Sequence, residues 1–204
     1  MSEEVPEFKE IKTILLGDSG VGKTSIINRY INNRFNPEMI SSLGSTSNEK
    51  VLIRDNINYK LIIWDTSGQE VYHSLTNLFI KGSNIVILVY SIESLNSFEG
   101  LDFWYKSVQE KIDRDNYVLA VVGSKSDLVN EELVSEEQGK KYAQEKHALF
   151  KLVSSKEDAK GINNLFESLL TELIQKYPNF DQSKSYDYKI KKKEKNKKEG
   201  KHCC

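Results

Sequence analysis

The stretch Ile14–Tyr30, "ILLGDSGVGKTSIINRY", decides the fold. Three apolar residues lead into the glycine-rich pattern Gly17-x-x-x-x-Gly22-Lys23-Thr24, and a helical pattern of apolar residues follows it. A strand, a glycine turn and a helix in this order are the context of a phosphate-binding loop, in which backbone N–H groups and the helix N-terminus face phosphate oxygens. We expect Lys23 to reach the β- and γ-phosphates of a nucleotide and Thr24 to offer its hydroxyl to Mg²⁺. The phosphate-binding residues predicted here are Asp18, Ser19, Gly20, Val21, Gly22, Lys23, Thr24 and Ser25.

Strand and helix patterns alternate along the rest of the chain. Segments rich in β-branched and aliphatic residues predict strands at Phe8–Leu16, Asn48–Arg54, Asn58–Asp65, Asn84–Ser91, Tyr117–Gly123 and Ala148–Val153. Helical periodicity predicts helices at Gly22–Asn33, Val71–Lys81, Ser94–Asp113, Ser135–His147 (with a capping box from Ser135 and Gln138) and Gly161–Tyr177. This alternation predicts an α/β fold with a six-stranded, mostly parallel sheet, helices on both faces, and ligands at the carboxyl ends of the strands.

The charge of the chain is unevenly distributed. The 204 residues carry a net charge of -1, yet Lys189–Lys201 alone holds eight lysines against two glutamates, so residues 1–188 carry about -7. A nucleic-acid-binding domain would carry its basic face on the folded body, so we expect no nucleic acid as a partner. A short basic arm for nucleic acid stays open as a minor alternative.

The terminal segments and the cysteines indicate the compartment. The opening segment "MSEEVPEFKE" is acidic and has no apolar core of a signal peptide, so we expect no secretory signal. The longest apolar runs, such as "IVILVY", are too short to span a bilayer. The only two cysteines are Cys203 and Cys204, which leaves no internal disulfide framework and fits a reducing, cytosolic compartment.

A second motif, "KLIIWDTSGQE" at Lys60–Glu70, follows the phosphate loop. An apolar strand runs into Asp65, whose carboxylate is suited to the Mg²⁺ shell. The N–H of Gly68 is expected to meet a γ-phosphate, and Gln69 to orient the attacking water as the catalytic residue.

The motifs "GDSGVGKTS", "WDTSGQE", "GSKSDL" and "SSK" occur in the order and spacing of Ras-superfamily small GTPases and most resemble the Rab family. The resemblance covers about Phe8 to Tyr177. It implies that Asp127 reads guanine through a bidentate pairing that adenine does not offer, with Lys125 and Phe35 flanking the base. The base-side residues that the resemblance implies are Phe35, Ser124, Lys125, Asp127, Leu128, Ser154, Ser155 and Lys156.

Three serines depart from the family pattern. Ser42 stands where the family places a threonine that binds Mg²⁺ and senses the γ-phosphate, and its hydroxyl keeps both roles. Ser47 replaces an aromatic residue of a surface shared with Trp64 and Phe79, which puts partner choice in doubt. Ser124 stands where the guanine loop of the family normally has asparagine, or sometimes threonine, so we expect the base to be held less firmly. The metal ligands expected for Mg²⁺ are Thr24, Ser42 and Asp65.

The two terminal cysteines behind a polybasic segment resemble the Rab carboxyl terminus. The resemblance implies prenylation of Cys203 and Cys204, and two lipid chains together with the lysines would give a stable anchor. We expect residues 1–177 to form the GTPase domain and residues 178–204 a disordered polybasic tether.

The combined expectation is a monomeric, membrane-anchored GTP/GDP switch that hydrolyses GTP slowly and acts in vesicle trafficking. No arginine lies between Phe35 and Ile53, or between Asp65 and Lys81, so neither switch offers an evident arginine finger in cis. The resemblance implies an exchange factor, a GTPase-activating protein, a GDP-dissociation inhibitor, an escort protein with a prenyl transferase, and effectors. It also implies the cytoplasmic face of intracellular membranes, with a cytosolic pool.

Two alternatives stay open. One is a nucleotide-binding membrane tether that hardly hydrolyses GTP, and the other is an ATP-using P-loop enzyme. The aromatic residues Phe98, Phe103 and Trp104 follow helical spacing, and we expect them to be packed or partly exposed rather than to bind a cofactor.

Overall fold

The computed structural model describes residues 8–37, 46–66, 79–112, 117–178 and 180. Six strands form one sheet in the order β2-β3-β1-β4-β5-β6. Among the described strands, only the β2–β3 pair is antiparallel, and the other four pairs are parallel. The predicted six-stranded, mostly parallel α/β sheet is therefore confirmed. The strands are β1 Phe8–Leu16, β2 Thr46–Arg54, β3 Ile57–Asp65, β4 Ile85–Ser91, β5 Val118–Ser124 and β6 Leu149–Leu152.

The strand bounds differ from the prediction mainly at β2, which begins two residues earlier than expected. Thr46 and Ser47 pair with Asp65 and Trp64 of β3, so β2 extends over both residues. The hairpin turn itself is Asp55–Asn56, and both residues have positive φ angles of 51° and 59°. Asp and Asn tolerate this left-handed conformation, which gives the turn the twist that a two-residue hairpin needs.

Five α-helices are described: α1 Lys23–Asn32, α2 Leu95–Glu99, α3 Leu101–Lys111, α4 Glu136–Glu145 and α5 Ala159–Lys176. The capping box predicted at the start of α4 is present, since Ser135 and Gln138 bond each other's backbone N–H groups. Residues 71–78 of the predicted helix Val71–Lys81 lie outside the described residues.

The prediction of one helix over Ser94–Asp113 was wrong in one respect, because the helix is interrupted at Gly100. Gly100 keeps right-handed helical angles, so the interruption is slight. A Cβ at Gly100 would lie 2.8 Å from Oδ2 of Asp18 in the phosphate-loop sequence. The close approach of that loop explains why glycine stands here.

Two apolar clusters lie on opposite faces of the sheet. One gathers buried residues of α1 and α5, among them Ile27, Phe166 and Leu169, against β1, β3, β4 and β5. The other gathers α3 and α4, including Trp104 and Ala143, against the opposite faces of β1, β4 and β5. Each fully buried Leu, Ile or Phe side chain contributes about 1.5–3 kcal/mol to folding. The loops at the carboxyl ends of the strands are thus mounted on a sheet supported from both sides.

No helix in the described part of the chain combines the length and the apolar character that crossing a membrane requires.

Candidate functional site

The predicted phosphate loop joins β1 to α1 in a conformation that needs glycine. Gly17, Gly20 and Gly22 all have positive φ angles. At Gly17 a Cβ would lie 2.1 Å from the carbonyl oxygen of Val89 in β4, so no other residue fits without moving the strand. Gly22 occupies the N-cap of α1, and no side chain of the described residues caps that helix end. The first N–H groups of α1 are thus not capped by a side chain, as an anion-binding helix end requires.

Lys23 lies at the centre of this loop and is only 5% exposed. Its ammonium donates to the carbonyl oxygens of Gly17 and Asp18, at 2.7 Å each. Burial lowers the pKa of Lys23 to about 8, and the nearby charges of Asp65 and Asp18 act in the opposite direction. The charges of Asp65 and Lys23 therefore lie close enough to interact, although the two residues are far apart in sequence.

Asp65 is the last residue of β3 and is 3% exposed. The parallel register sets it beside Leu15 of β1, and the Thr66 hydroxyl donates to the Leu15 carbonyl oxygen at 2.7 Å. The end of β3 is thereby fixed against the start of the phosphate loop. The Asp65 carboxylate and the Thr24 hydroxyl are hard oxygen donors, the type that Mg²⁺ prefers. The described residues therefore fit the expected metal.

Ser124 ends β5 and connects two other segments. Its hydroxyl lies 2.5 Å from the carbonyl oxygen of Val21 in the phosphate loop and 2.9 Å from that of Tyr90 in β4. A serine hydroxyl has one proton, so it donates to one of these oxygens at a time. The predicted guanine loop and the phosphate loop are therefore in direct contact.

Asp127 and the segment Ser154–Lys156 come together, as the resemblance implies. The Ser154 hydroxyl donates to Oδ1 of Asp127 at 2.6 Å, and the N–H of Ser126 donates to the carbonyl oxygen of Val153. The Lys156 ammonium lies 4.0 Å from Oδ2 of Asp127. These contacts orient a carboxylate whose side chain is 10% exposed. A carboxylate held in this way can accept two hydrogen bonds side by side.

Lys125 has a left-handed backbone, with φ at 58°. Its ammonium pairs with Oε1 of Glu93, just beyond β4, at 2.5 Å. The pairing draws the end of the lysine side chain toward Glu93 and fixes the course of its methylene stem. Leu128 follows, and its N–H donates to the carbonyl oxygen of Lys125 in a tight turn.

Sequence reasoning missed two residues that contact the predicted site. The indole N–H of Trp104 in α3 donates to Oδ1 of Asp18 at 2.9 Å. Trp104 is buried, as expected, but it also reaches the phosphate loop. Arg29 in α1 donates to backbone oxygens of Ser155 and Lys156. Neither contact has a local sequence signal, because each joins two segments that are distant in the chain.

Several predicted residues are not part of this geometry. Ser42, Gly68, Gln69, Cys203 and Cys204 lie outside the described residues. Phe35 is half-buried and follows the C-cap of α1. Ser47 pairs with Trp64 across the β2–β3 ladder, and the ring of Trp64 contacts that of Phe79 in a tilted arrangement, with 4.8 Å between centroids. The serine therefore borders the aromatic surface, as expected.

Comparisons with known proteins give a consistent family. The family model described as "Ras family" matches residues 12–175. Among the relatives is GTP-binding protein ypt3 of Schizosaccharomyces pombe, 36% identical over 163 residues, which are 80% of this chain and 75% of the relative. Ras-related protein Rab-11B of Dictyostelium discoideum is 39% identical, over 78% of this chain and 71% of the relative. Human Ras-related protein Rab-22A is 36% identical, over 85% of this chain and 87% of the relative.

A six-stranded, mostly parallel sheet with a phosphate-loop sequence after its first strand defines the class, an α/β protein of the small-GTPase type. The chain belongs to the Ras family of small GTPases, within which it is a divergent member of the Rab family. Proteins of this family bind GTP and GDP and hydrolyse GTP, so the protein is a GTP hydrolase.

Proposed function

We propose that the protein is a Mg²⁺-dependent GTP/GDP switch with slow intrinsic hydrolysis, anchored by lipid to intracellular membranes and acting in vesicle trafficking. The observation that supports this most is the cluster at the carboxyl ends of the parallel strands. Lys23 and Asp65 interact there, the Ser124 hydroxyl contacts the phosphate loop, and the Ser154 hydroxyl contacts Asp127. Ligands of open α/β sheets bind at these strand ends.

The residues around the phosphates have separable roles. Lys23 would exchange its contacts with two loop carbonyl oxygens for contacts with phosphate oxygens. Thr24, Asp65 and Ser42 would hold Mg²⁺, which when bound neutralises charge on the β- and γ-phosphates. Asp18, Ser19, Gly20, Val21 and Ser25 would contribute loop contacts, and Gly68 would meet the γ-phosphate.

Guanine selectivity rests on Asp127 in this proposal. Its carboxylate would accept hydrogen bonds from the ring N–H and the exocyclic amine of guanine, an edge that adenine lacks. Ser154 restricts the orientation of that carboxylate at 2.6 Å. Competition of excess ATP and excess GTP against a bound fluorescent GDP analogue tests the selectivity. If ATP displaced the analogue as well as the same concentration of GTP does, the result would favour the ATP-using alternative.

Slow hydrolysis follows from the lack of an arginine in either predicted switch segment. Gln69 would orient the attacking water, and a GTPase-activating protein would supply what the chain lacks. We expect Gln69→Leu to slow single-turnover GTP hydrolysis by at least tenfold, because leucine cannot orient the attacking water. Nucleotide affinity should change little, because Gln69 would touch the water and not the ground-state nucleotide.

Single-turnover assays with saturating Mg²⁺ on wild type and Gln69→Leu measure this effect. Gln109→Leu, in α3, is the control for the loss of an amide away from the loops. A wild-type rate no higher than that of the Gln69 variant would favour the alternative of a nucleotide-binding tether that hardly hydrolyses GTP.

Membrane association would depend on Cys203 and Cys204 with the lysines before them, while an exchange factor and a GDP-dissociation inhibitor would control loading and extraction. Effectors would read the GTP-bound state on the cytoplasmic face. The names of the relatives support a Rab-type role. In this proposal, the exchange factor and the effectors determine the organelle and the transport step.

A further inference from the structure

The contacts of Arg29 join two segments that are distant in sequence. Arg29 lies in α1, and its Nε donates to the carbonyl oxygen of Ser155 at 2.6 Å. One terminal nitrogen donates to the carbonyl oxygen of Lys156 at 3.1 Å. The other donates to the carbonyl oxygen and to Oδ1 of Asn33, at 3.0 and 3.3 Å. The guanidinium thus uses all three nitrogens at once.

The first two acceptors belong to the loop after β6 that carries Ser154. Ser154 and Ser155 are buried, and the Ser154 hydroxyl donates to the Asp127 carboxylate. Arg29 contacts only backbone oxygens of this loop, so its effect does not depend on which side chains stand at positions 155 and 156. By fixing the backbone, Arg29 restricts where Ser154 can hold Asp127.

The third acceptor, Asn33, is the C-cap of α1. It adopts a left-handed conformation with φ at 51°, and its N–H donates back to the carbonyl oxygen of Arg29. Phe35, which is expected to flank the base, lies two residues further along the chain. One guanidinium therefore braces the loop on one side of the expected base site and the segment leading to the other side.

We propose that Arg29 is a positioning residue that holds the Ser154–Lys156 loop and the end of α1 in place and thereby slows the release of guanine nucleotide. This inference rests on the base site of the proposed function. It requires arginine in particular, because a lysine ammonium at the same position cannot bond to three carbonyl oxygens along fixed directions.

A purely structural role predicts a different result. Arg54 provides the comparison, because it joins β2 to α5 through Thr171 and Glu167, and its side chain is about one-third exposed. Within the described residues, its hydrogen bonds go to α5 and not to the loops at the carboxyl ends of the strands. Arg29→Lys and Arg54→Lys are therefore matched changes that each replace a bridging guanidinium by an ammonium.

The experiment measures the release of a fluorescent GDP analogue from full-length protein by stopped flow with saturating Mg²⁺, alongside thermal unfolding of the same samples. Arg29→Lys should release the analogue about tenfold faster, as expected for the loss of one or two hydrogen bonds that brace the site. Arg54→Lys should release it within about twofold of wild type. A structural role alone would lower the unfolding temperature of both variants and leave both release rates unchanged, which would overturn the inference.

A double-mutant cycle with Ser154→Ala adds an independent readout. Arg29 and Ser154 act on the same loop, so the double variant should speed release by less than the product of the two single effects. For Arg54→Lys combined with Ser154→Ala, the increase in the release rate should equal that product. Multiplication for both pairs would count against the positioning role. Arg29→Gln, with the same expectation, replaces Arg29→Lys if the lysine variant does not fold.

Asp127→Asn separates this inference from the proposed function. An amide at position 127 should weaken GDP binding and favour xanthosine diphosphate, whose carbonyl accepts from the amide. If Asp127→Asn behaves so and Arg29→Lys releases the analogue at the wild-type rate, the positioning role alone is wrong. If the wild type binds no guanine nucleotide, both the proposed function and the role of Arg29 are wrong.

Discussion

Ser124 shows how a single substitution within a family pattern is accommodated. Its hydroxyl lies within hydrogen-bonding distance of carbonyl oxygens of Val21 and Tyr90, so the contact with the phosphate loop survives the replacement of an amide by a hydroxyl. What the hydroxyl lacks is the reach and the second function of an amide, which accepts and donates at once. At this position, a side chain can therefore keep its hydrogen bond to the phosphate loop without making the expected hydrogen bond to the edge of the base.

We expect Ser124→Asn to slow GDP release several-fold, because one added neutral hydrogen bond is worth about 1 kcal/mol and appears mainly in the dissociation rate. The space between Gly22 and Ser124 would hold one more carbon atom, because a Cβ built on Gly22 would lie 3.7 Å from the Ser124 hydroxyl oxygen. Stopped-flow dissociation of a fluorescent GDP analogue from both forms, with saturating Mg²⁺, measures the change. Ser126→Asn, two residues further along the same loop, is the control. Equal or faster release from Ser124→Asn would show that the serine is not a weak point.

The residues of the site were predictable to different degrees. Lys23, Asp65 and Asp127 follow from motifs, because a phosphate loop or a strand end with a carboxylate has a local sequence pattern. The contacts of Trp104 with Asp18 and of Arg29 with Ser155 join residues 86 and 126 positions apart. No local pattern encodes such pairs, since they depend on which helix faces which loop once the sheet has formed.

The periodicity of apolar residues predicted the bounds of some helices better than those of others. α5 was predicted almost to its ends, because Ile162, Leu165 and Phe166 begin an uninterrupted apolar stripe that is fully buried. The region Ser94–Asp113 has an equally helical pattern but is interrupted at Gly100, where Asp18 approaches the backbone. Helical propensity describes a helix in isolation, and it does not include the close approach of Asp18 that leaves no room for a side chain at position 100.

We expect Trp104→Phe to lower the free energy of unfolding by about 1–2 kcal/mol, because it removes the indole donor to Asp18 while keeping an aromatic ring in the apolar cluster. Urea unfolding of the nucleotide-saturated protein measures the loss. Phe103→Leu is the matched control, since Phe103 is 49% exposed and an exposed substitution should change stability by about 0.5 kcal/mol or less. Equal losses in the two variants would contradict a special role for the indole N–H.

The whole chain separates its lysine-rich segment and its two cysteines from its apolar clusters. The two buried clusters hold the sheet between helices, while the lysine-rich segment Lys189–Lys201 and both cysteines lie near the carboxyl terminus. The boundary drawn at Tyr177 stays a prediction. Phe180, which lies beyond it, is 6% exposed and belongs to the cluster of α1 and α5.

We expect serine at both Cys203 and Cys204 to move the protein from the membrane fraction to the soluble fraction of cells while GDP release is unchanged, because anchor and nucleotide site lie on separate parts of the chain. Cell fractionation and the stopped-flow assay measure the two properties. Lys191, Lys192 and Lys193, all changed to glutamine, form the control, which should weaken membrane binding by about 1 kcal/mol per lysine without abolishing it. Persistent sedimentation of the serine variant with membranes would remove the main support for the lipid anchor.

The position of Phe180 also has a mechanical consequence. Its N–H donates to the carbonyl oxygen of Tyr177 at 2.9 Å, so the chain turns back onto the body just after α5. Residues 181–204 can reach at most about 86 Å when fully extended. A force applied to the carboxyl terminus would therefore act on the packing of Phe180 before it acted on α5. Phe180 would have to leave the apolar cluster before the force could unwind the helix.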